Sequence, residues 1–507
     1  NAEESKLPAE VAEPVFKETT AERDIAFTHQ ENDYDDFRYE PLLPHRNSQQ
    51  GPGLAVGDVN GDGLEDFFVG NAAGQAGALY LQEADGQFSE MAGPWQADHD
   101  QEDTGALLYD ADNDQDLDLY VVSGGNHANA DEAYFRDRLY LNTPQGFVKS
   151  TSALPPEVAV SGKVVIPADY DQDGDVDLFV GGRLLPGRYP YPASSFILQN
   201  EGGTDQQLRY RDVTDEVAPL LKDLGLVTTA LWDDYDEDGQ VDLIVAGEWM
   251  KIRCFRNEAG NFSEISDELN LENTRGWWYS LHATDVDGDG DRDYLAGNLG
   301  LNYKYKSSEE NPFAIYASDF DENGRTDIVL SYEKNGKQLP VRGRECSSQQ
   351  MPIIQDRFPT YEAFAEASLG DIYGEAQLEA ALEYQINTFA SGWLEKTDDG
   401  LVWHPFTHEA QLSSINAITP LPTNSSSNQQ FIIAGNLYTS EVETPRNDAS
   451  YGLVLQSDTA GFTSLAPSRT GLYVRGEVKE VAPIRLANNK YGYLFAINND
   501  SLRLIEY

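Results

Sequence analysis

The sequence predicts an all-β fold, a seven-bladed β-propeller built from four-stranded blades. Three observations predict it: an acidic nonapeptide present six times, an apolar β-type run after each copy, and an aromatic strand marker present seven times.

The acidic pattern is D-x-[DN]-x-[DN]-x-x-x-D. It reads "DVNGDGLED" from 58, "DADNDQDLD" from 110, "DYDQDGDVD" from 169, "DYDEDGQVD" from 234, "DVDGDGDRD" from 285 and "DFDENGRTD" from 319. Runs such as "FFVG", "LYVVSGG" and "LIVAGEW" follow directly, and runs such as "GLAVG" precede, so each copy joins two strands. Third strands follow in "ALYLQE", "RLYLN", "FILQN" and "GLVLQ". Outer strands carry Phe16, Phe88, Phe147, Tyr210, Phe262, Phe406 and Phe462. Inner strands then fall near 53, 105, 164, 229, 280, 413 and 478, and the last two blades lack the acidic pattern.

Two irregularities complete the architecture. The chain ends on a third strand, "SLRLIEY", so "VFKETT" near the N-terminus is expected to supply the missing outer strand and close the ring. Phe262 and Phe406 are 144 residues apart where neighbouring markers are 52 to 72 apart, which places an insertion in blade five over 303–386. This insertion is expected to hold the sixth acidic loop on a hairpin and a helix pair in "TYEAFAEASLGDIYGEAQLEAALEYQ". The propeller occupies 15–507, behind an acidic leader over 1–14 that reads as a tether of the kind that carries a lipid anchor.

With 87 acidic against 35 basic residues, a net charge of -52, a nucleic acid or an anionic membrane surface is excluded as the main partner. No run approaches the roughly 18 apolar residues of a membrane span. Cys254 and Cys346 lie 92 positions apart without metal-type spacing and read as two unpaired thiols.

Alternate acidic side chains in a tight loop suit a hard cation that takes six to eight oxygens, which is Ca²⁺ rather than Mg²⁺. Positions one, three, five and nine supply side chains and position seven a backbone carbonyl. The ligand sets are Asp58, Asn60, Asp62, Leu64 and Asp66; Asp110, Asp112, Asp114, Asp116 and Asp118; and Asp169, Asp171, Asp173, Asp175 and Asp177. They continue with Asp234, Asp236, Asp238, Gln240 and Asp242; Asp285, Asp287, Asp289, Asp291 and Asp293; and Asp319, Asp321, Asn323, Arg325 and Asp327. Up to six Ca²⁺ would relieve the carboxylate repulsion and stabilise the fold. Gln115 stands where the other loops have Gly, which implies a left-handed strain of about 1 to 2 kcal/mol and a weaker site.

These residues resemble the FG-GAP/VCBS-repeat calcium-binding β-propellers, related in their blade motif to integrin α-subunit propellers. "ENDYDDFRYEPLLPHRNSQQGPGLAVGDVNGDGLEDFFVG", "GGRLLPGRYPYPASS", "GEWM" and "GNLGLNYKY" are similar to the large VCBS-repeat proteins of the Gram-negative envelope. The resemblance spans nearly the whole chain. It implies an extracytoplasmic location, at the cell surface or outer membrane or secreted.

Function is expected on the face opposite the acidic loops, where longer loops are dense in Arg, Tyr, Trp, Asn and His. Arg183, Arg188, Tyr189, Trp249, Trp277, Asn298 and Arg446 are the candidate ligand-binding residues. The reading is a non-catalytic propeller that binds a glycan, a peptide or an envelope protein, as an accessory of an outer-membrane nutrient-uptake complex. The alternative is a polysaccharide lyase or hydrolase using His29, His45, His127 and His282 in the funnel, although no nucleophile-base-acid spacing is visible.

Overall fold

The computed structural model describes residues 15–507, apart from 128, 205–206, 423–427 and 460. The leader expected over 1–14 lies outside the described residues.

Each repeat folds into an antiparallel sheet of four strands, and the one holding Asp242–Met250 gains a fifth, Gly276–Trp277. In the first sheet Leu54–Gly57, Asp66–Val69, Ala78–Gln82 and Phe88–Met91 hydrogen-bond in chain order. The other sheets open on Asp103–Tyr109, Ser161–Ala168, Leu226–Asp233, Ser280–Thr284, Ile415–Pro420 and Glu477–Arg485, and are called the second to seventh sheets. Each opening strand packs beside the next, and Glu477–Arg485 returns to Leu54–Gly57, so the sheets stand around a ring as in a β-propeller.

The second strands explain why this chain closes. Asp66–Val69, Asp118–Ser123, Asp177–Leu184, Asp242–Met250 and Asp293–Gly297 are buried at every residue. A sheet standing in a ring has a neighbour on both faces, so its central strands read as continuous apolar runs rather than alternating ones. Between the first and second sheets Phe68, Leu119 and Tyr140 form a core around Trp95. Between the sixth and seventh, Ile432, Val454, Phe495 and Ile497 do the same. At the centre the backbones nearly touch: a Cβ on Gly53 would lie 2.5 Å from the Gly105 backbone.

The N-terminal segment completes the seventh sheet. Lys17 pairs with Glu506 and Glu18 with Ile505, which covers the edge of Arg503–Glu506.

Between Asp293–Gly297 and Gly392–Thr397 of the fifth sheet, the chain leaves the ring to build an eighth sheet. Its order is Lys337–Pro340, Asp327–Lys334, Phe313–Ser318, Leu382–Ile386. The expected helix pair is three short helices, Tyr361–Glu366, Leu369–Tyr373 and Glu375–Ala380, preceded by Arg344–Gln350 and Ile353–Arg357. The "LEYQ" stretch, expected to be helical, instead pairs with Phe313–Ser318, because its alternation lets Ile386 and Tyr384 cover the neighbouring strand. Among the described residues, no helix is long and apolar enough to cross a membrane.

Candidate metal centres and the opposite loop face

All six acidic loops fold alike. The first-position carboxylate accepts from the N–H of position six: Gly63 to Asp58 at 2.8 Å, Gln115 to Asp110 at 3.0 Å, Gly174 to Asp169 at 3.1 Å, Gly239 to Asp234 at 2.9 Å, Gly290 to Asp285 at 3.2 Å and Gly324 to Asp319 at 2.7 Å. The fifth-position side chain accepts from the N–H of position seven, as in Leu64 to Asp62 at 2.9 Å and Arg325 to Asn323 at 2.9 Å. Position six is left-handed throughout, from φ 84° at Gly324 to 100° at Gly290, and Gln115 adopts φ 78° without a glycine's freedom. Position four is left-handed as well, at Asn113, Gln172, Glu237 and Glu322.

This fold converges oxygens. In the loops from 110, 169, 234, 285 and 319, three carboxylates each offer an oxygen within 4.8 Å of the other two. The loop from 58 carries Asn60 at position three and keeps the same turn, with Asp58 accepting from Gly61 and Asp62. Oδ1 of Asp234 and Oδ1 of Asp321 are buried without a hydrogen-bond partner, which is what a cation ligand looks like before its ion. Burial pushes the ninth-position carboxyls up, to about 6 for Asp66 and Asp242, about 7 for Asp177, Asp293 and Asp327, and about 8 for Asp118, with neighbouring carboxylates adding to it. The donor set is all oxygen and densely anionic, so it fits a hard divalent cation.

The acidic side chains at position seven divide. Asp175 turns its carboxylate outward, to Asn113 of the adjacent loop at 2.6 Å. Asp116 and Asp291 instead turn inward beside Asp114 and Asp289, and burial and those neighbours push each up to about 6.

The model of the FG-GAP-like repeat matches residues 58–121, 110–180 and 234–296, and each match opens on the first Asp of an acidic loop. The chain carries FG-GAP-like repeats at these three positions. Cartilage acidic protein 1 of Homo sapiens is 28% identical over 223 residues, covering 41% of this chain and 30% of that protein, so the chain matches about a third of that relative's length. Among solved structures, Sqt1 of Saccharomyces cerevisiae aligns over 94% of this chain and 99% of its own at 10% identity and a TM-score of 0.40. The Dos1 propeller aligns over 93% and 97% at 9% identity and a TM-score of 0.37.

In each FG-GAP-like repeat the second strand starts at the ninth-position Asp and carries the chain to the opposite face. There the sequence candidates divide. Arg183, Tyr189, Trp249, Trp277 and Asn298 are buried, none above 2% exposed. Tyr189, Trp249 and Trp277 join a core with no counterpart in the repeat, in which Tyr305, Phe313 and Ile386 of the insertion pack together with Leu42, Leu43 and Phe389. Trp277 packs edge-on against Trp249 at 5.2 Å, and Asn298 braces a turn by accepting from the N–H of Trp277 and Leu299. These five therefore correct the expectation of a solvent-facing ligand set. Large aromatic faces are hidden because the insertion, invisible as a lid in the sequence, covers them.

The histidines do not assemble either. His45 Nε2 meets Glu248 Oε1 at 3.0 Å, His29 Nδ1 accepts from the Asn499 N–H, His127 pairs with Asn32, and His282 packs on Phe431. Burial, then Lys479, pushes His29 down to about 3, and burial, then Arg292, pushes His282 down to about 4, so both are held neutral, His29 in its loop and His282 in the opening strand Ser280–Thr284 of the fifth sheet.

Arg188 and Arg446 remain at the surface. Arg188 lies over Tyr191 at 4.7 Å and Arg446 over Tyr438 at 4.6 Å. Arg446 borders a cleft of about 590 Å³ between the 35–49 segment and the loops of the sixth and seventh sheets. Across it Arg46 covers Phe37 at 5.5 Å, and Gln49, Asn498 and Asn499 add amides to the lining. Phe37, Arg46 and Tyr438 are not among the residues the sequence pointed to. The available signal was an aromatic followed eight or nine positions later by an Arg, Phe37 with Arg46 and Tyr438 with Arg446, in loops of an otherwise acidic chain.

Proposed function

We propose that this protein is a seven-bladed, calcium-stabilised propeller that works outside the cytoplasm as a binding module. Asp, Asn and backbone carbonyls of the six acidic loops would hold Ca²⁺, which supplies positive charge where the fold has gathered carboxylates. Metal binding is then fold stability rather than chemistry.

The ligand reading rests on one observation, the cleft between Phe37 with Arg46 and Tyr438 with Arg446. Amides, carboxylates and two guanidinium groups stand around aromatic rings there, a lining that matches a hydroxyl-rich glycan, with hydrogen bonds at the edges and ring contacts on the faces. An accessory role beside an outer-membrane nutrient importer fits a surface module of this kind.

The test is binding of the calcium-loaded protein to a panel of neutral and acidic glycans, beside an Arg446→Ala variant. Retention of at least one glycan, weakened in the variant, supports the reading. Retention unchanged in the variant moves the site elsewhere, and retention of none, with a peptide or envelope protein bound instead, replaces the ligand class.

A further inference from the structure

The acidic loops are tied to one another around the ring. In the second to fifth sheets a single residue at the end of the third strand touches two loops. Its backbone N–H donates to the ninth-position carboxylate of its own sheet: Asn142 to Asp118 at 2.7 Å, Asn200 to Asp177 at 2.7 Å, Asn257 to Asp242 at 2.8 Å and Lys396 to Asp293 at 2.9 Å. Its side chain donates to the second-position carbonyl of the preceding sheet's loop: Asn142 to Val59 at 2.7 Å, Asn200 to Ala111 at 2.9 Å, Asn257 to Tyr170 at 2.8 Å and Lys396 to Tyr235 at 2.8 Å.

The relay continues inside the loops. The second-position N–H donates to the ninth-position carboxylate, as in Val59 to Asp66 at 3.0 Å, Ala111 to Asp118 at 2.9 Å, Tyr235 to Asp242 at 3.0 Å and Val286 to Asp293 at 2.8 Å. The carbonyl of position two belongs to the peptide leading into the third-position ligand. A side chain holding that carbonyl therefore sets the direction of a candidate ligand one sheet away. The first sheet makes the same brace to a sheet without an acidic loop, Gln82 donating its N–H to Asp66 at 2.8 Å and its amide to the Arg485 carbonyl at 3.0 Å, so what sets the other four apart is that the carbonyl they hold belongs to a cation loop.

From these bonds we infer that Asn142, Asn200, Asn257 and Lys396 are positioning residues that couple the cation loops of the first five sheets in series. The inference rests on the calcium reading above. Filling one loop orders the ninth-position carboxylate, the third-strand residue bonded to it, and through that side chain the preceding loop. The loop at 319–327 is the internal control. It keeps the Phe320 to Asp327 bond at 2.9 Å, but no side chain among the described residues donates to the Phe320 carbonyl, so this loop binds its ion independently.

Terbium luminescence tests the coupling, because Tyr170 and Tyr235 occupy the second positions of the loops at 169–177 and 234–242 and sensitise an ion bound there. The loop at 110–118 is emptied by Asp110→Asn with Asp112→Asn, in the wild-type and in the Asn200→Ala background. A hydrogen bond of ordinary strength corresponds to roughly threefold to tenfold in affinity, so emptying this loop should weaken the terbium midpoint by about that factor in the wild-type background and leave it unmoved when Asn200 is already Ala. A merely structural brace would lower the melting temperature without producing this difference between backgrounds. An unchanged midpoint in the wild-type background, or equal shifts in both, overturns the inference. Should Asn200→Ala fail to fold, Asn142→Ala with the loop at 58–66 emptied provides the same cycle, read by calcium calorimetry. A wild-type protein that binds neither terbium nor calcium overturns the calcium reading itself, and the coupling with it.

Discussion

Arg183 and Glu248 meet at 2.8 Å, and neither side chain is more than 3% exposed. His45 reaches the same Glu248 oxygen at 3.0 Å, and the Tyr189 hydroxyl donates to the other at 3.3 Å. Burial alone would raise the Glu248 carboxyl; Arg183 and then His45 outweigh it and hold it at about 2. Removing one partner of such a buried pair costs about 3 to 5 kcal/mol, because the other charge is left unpaired. Glu248→Ala is expected to lose stability of that order in denaturant unfolding. The depressed carboxyl contributes stability that is present above the ordinary carboxylate range and is lost as pH falls through it toward 2. A small loss would mean that Arg183 finds another partner.

Calcium removal is expected to lower the melting temperature markedly. A site held at a hundred times its dissociation constant contributes about 2.7 kcal/mol, and the converging carboxylates repel one another once the ion leaves. Calorimetry with and without chelator measures the difference. An unchanged melt with demonstrably emptied loops would remove calcium from the stability of this fold.

Gln115 is the one sixth-position residue of the acidic loops that is not Gly, and it adopts φ 78°. Gln115→Gly relieves a left-handed cost of about 1 to 2 kcal/mol, less the backbone entropy a glycine brings. The variant is expected to be slightly more stable than the parent and to bind calcium more tightly at 110–118, read by melting and by calorimetric titration.

Much of this protein was legible because a repeat announces itself. The alternation of acidic loop and buried run identifies strands, and the recurrence of an aromatic at Phe88, Phe147, Tyr210 and Phe262 identifies the sheets they close. The glycines at position six revealed the turn, and Gln115 stood out against them. The opposite face was illegible for a physical reason. A Trp in a long loop has the same identity whether it faces a ligand or a lid, and only the insertion's seat over Trp249 and Trp277 decides between them. The bonds from Asn142, Asn200 and Asn257 were hidden too, since an Asn at a strand end reads equally well as a turn residue.

Trp277→Ala and Arg446→Ala separate the buried core from the surface cleft. Trp277 is fully buried against Trp249, Tyr305 and Phe389, and truncating it is expected to cost about 3 to 5 kcal/mol with the insertion loosened. Arg446 is 59% exposed in its side chain, and its loss is expected to change stability by less than about 0.5 kcal/mol while weakening ligand retention. Limited proteolysis of the 303–386 segment reads the first effect and glycan binding the second.

Glu40 supplies a pH dependence that is independent of calcium. Its carboxylate accepts from Asn126 Nδ2 at 2.7 Å and from the Tyr189 N–H at 2.9 Å in the core beneath the 35–49 segment. Burial nevertheless drives it up to about 7, with Asp36 adding to the rise, so the fold favours the protonated form. Stability from this group is therefore fully present below the ordinary carboxylate value of 4.5 and is lost as pH rises through about 7. Over that range the loss is on the order of 3 kcal/mol. Glu40→Gln keeps the shape and removes the titration, so at saturating calcium its unfolding free energy should fall less steeply than the parent's between mildly acidic and neutral pH. Identical slopes for the two proteins would show that Glu40 is ionised throughout and that its two donors compensate for its burial.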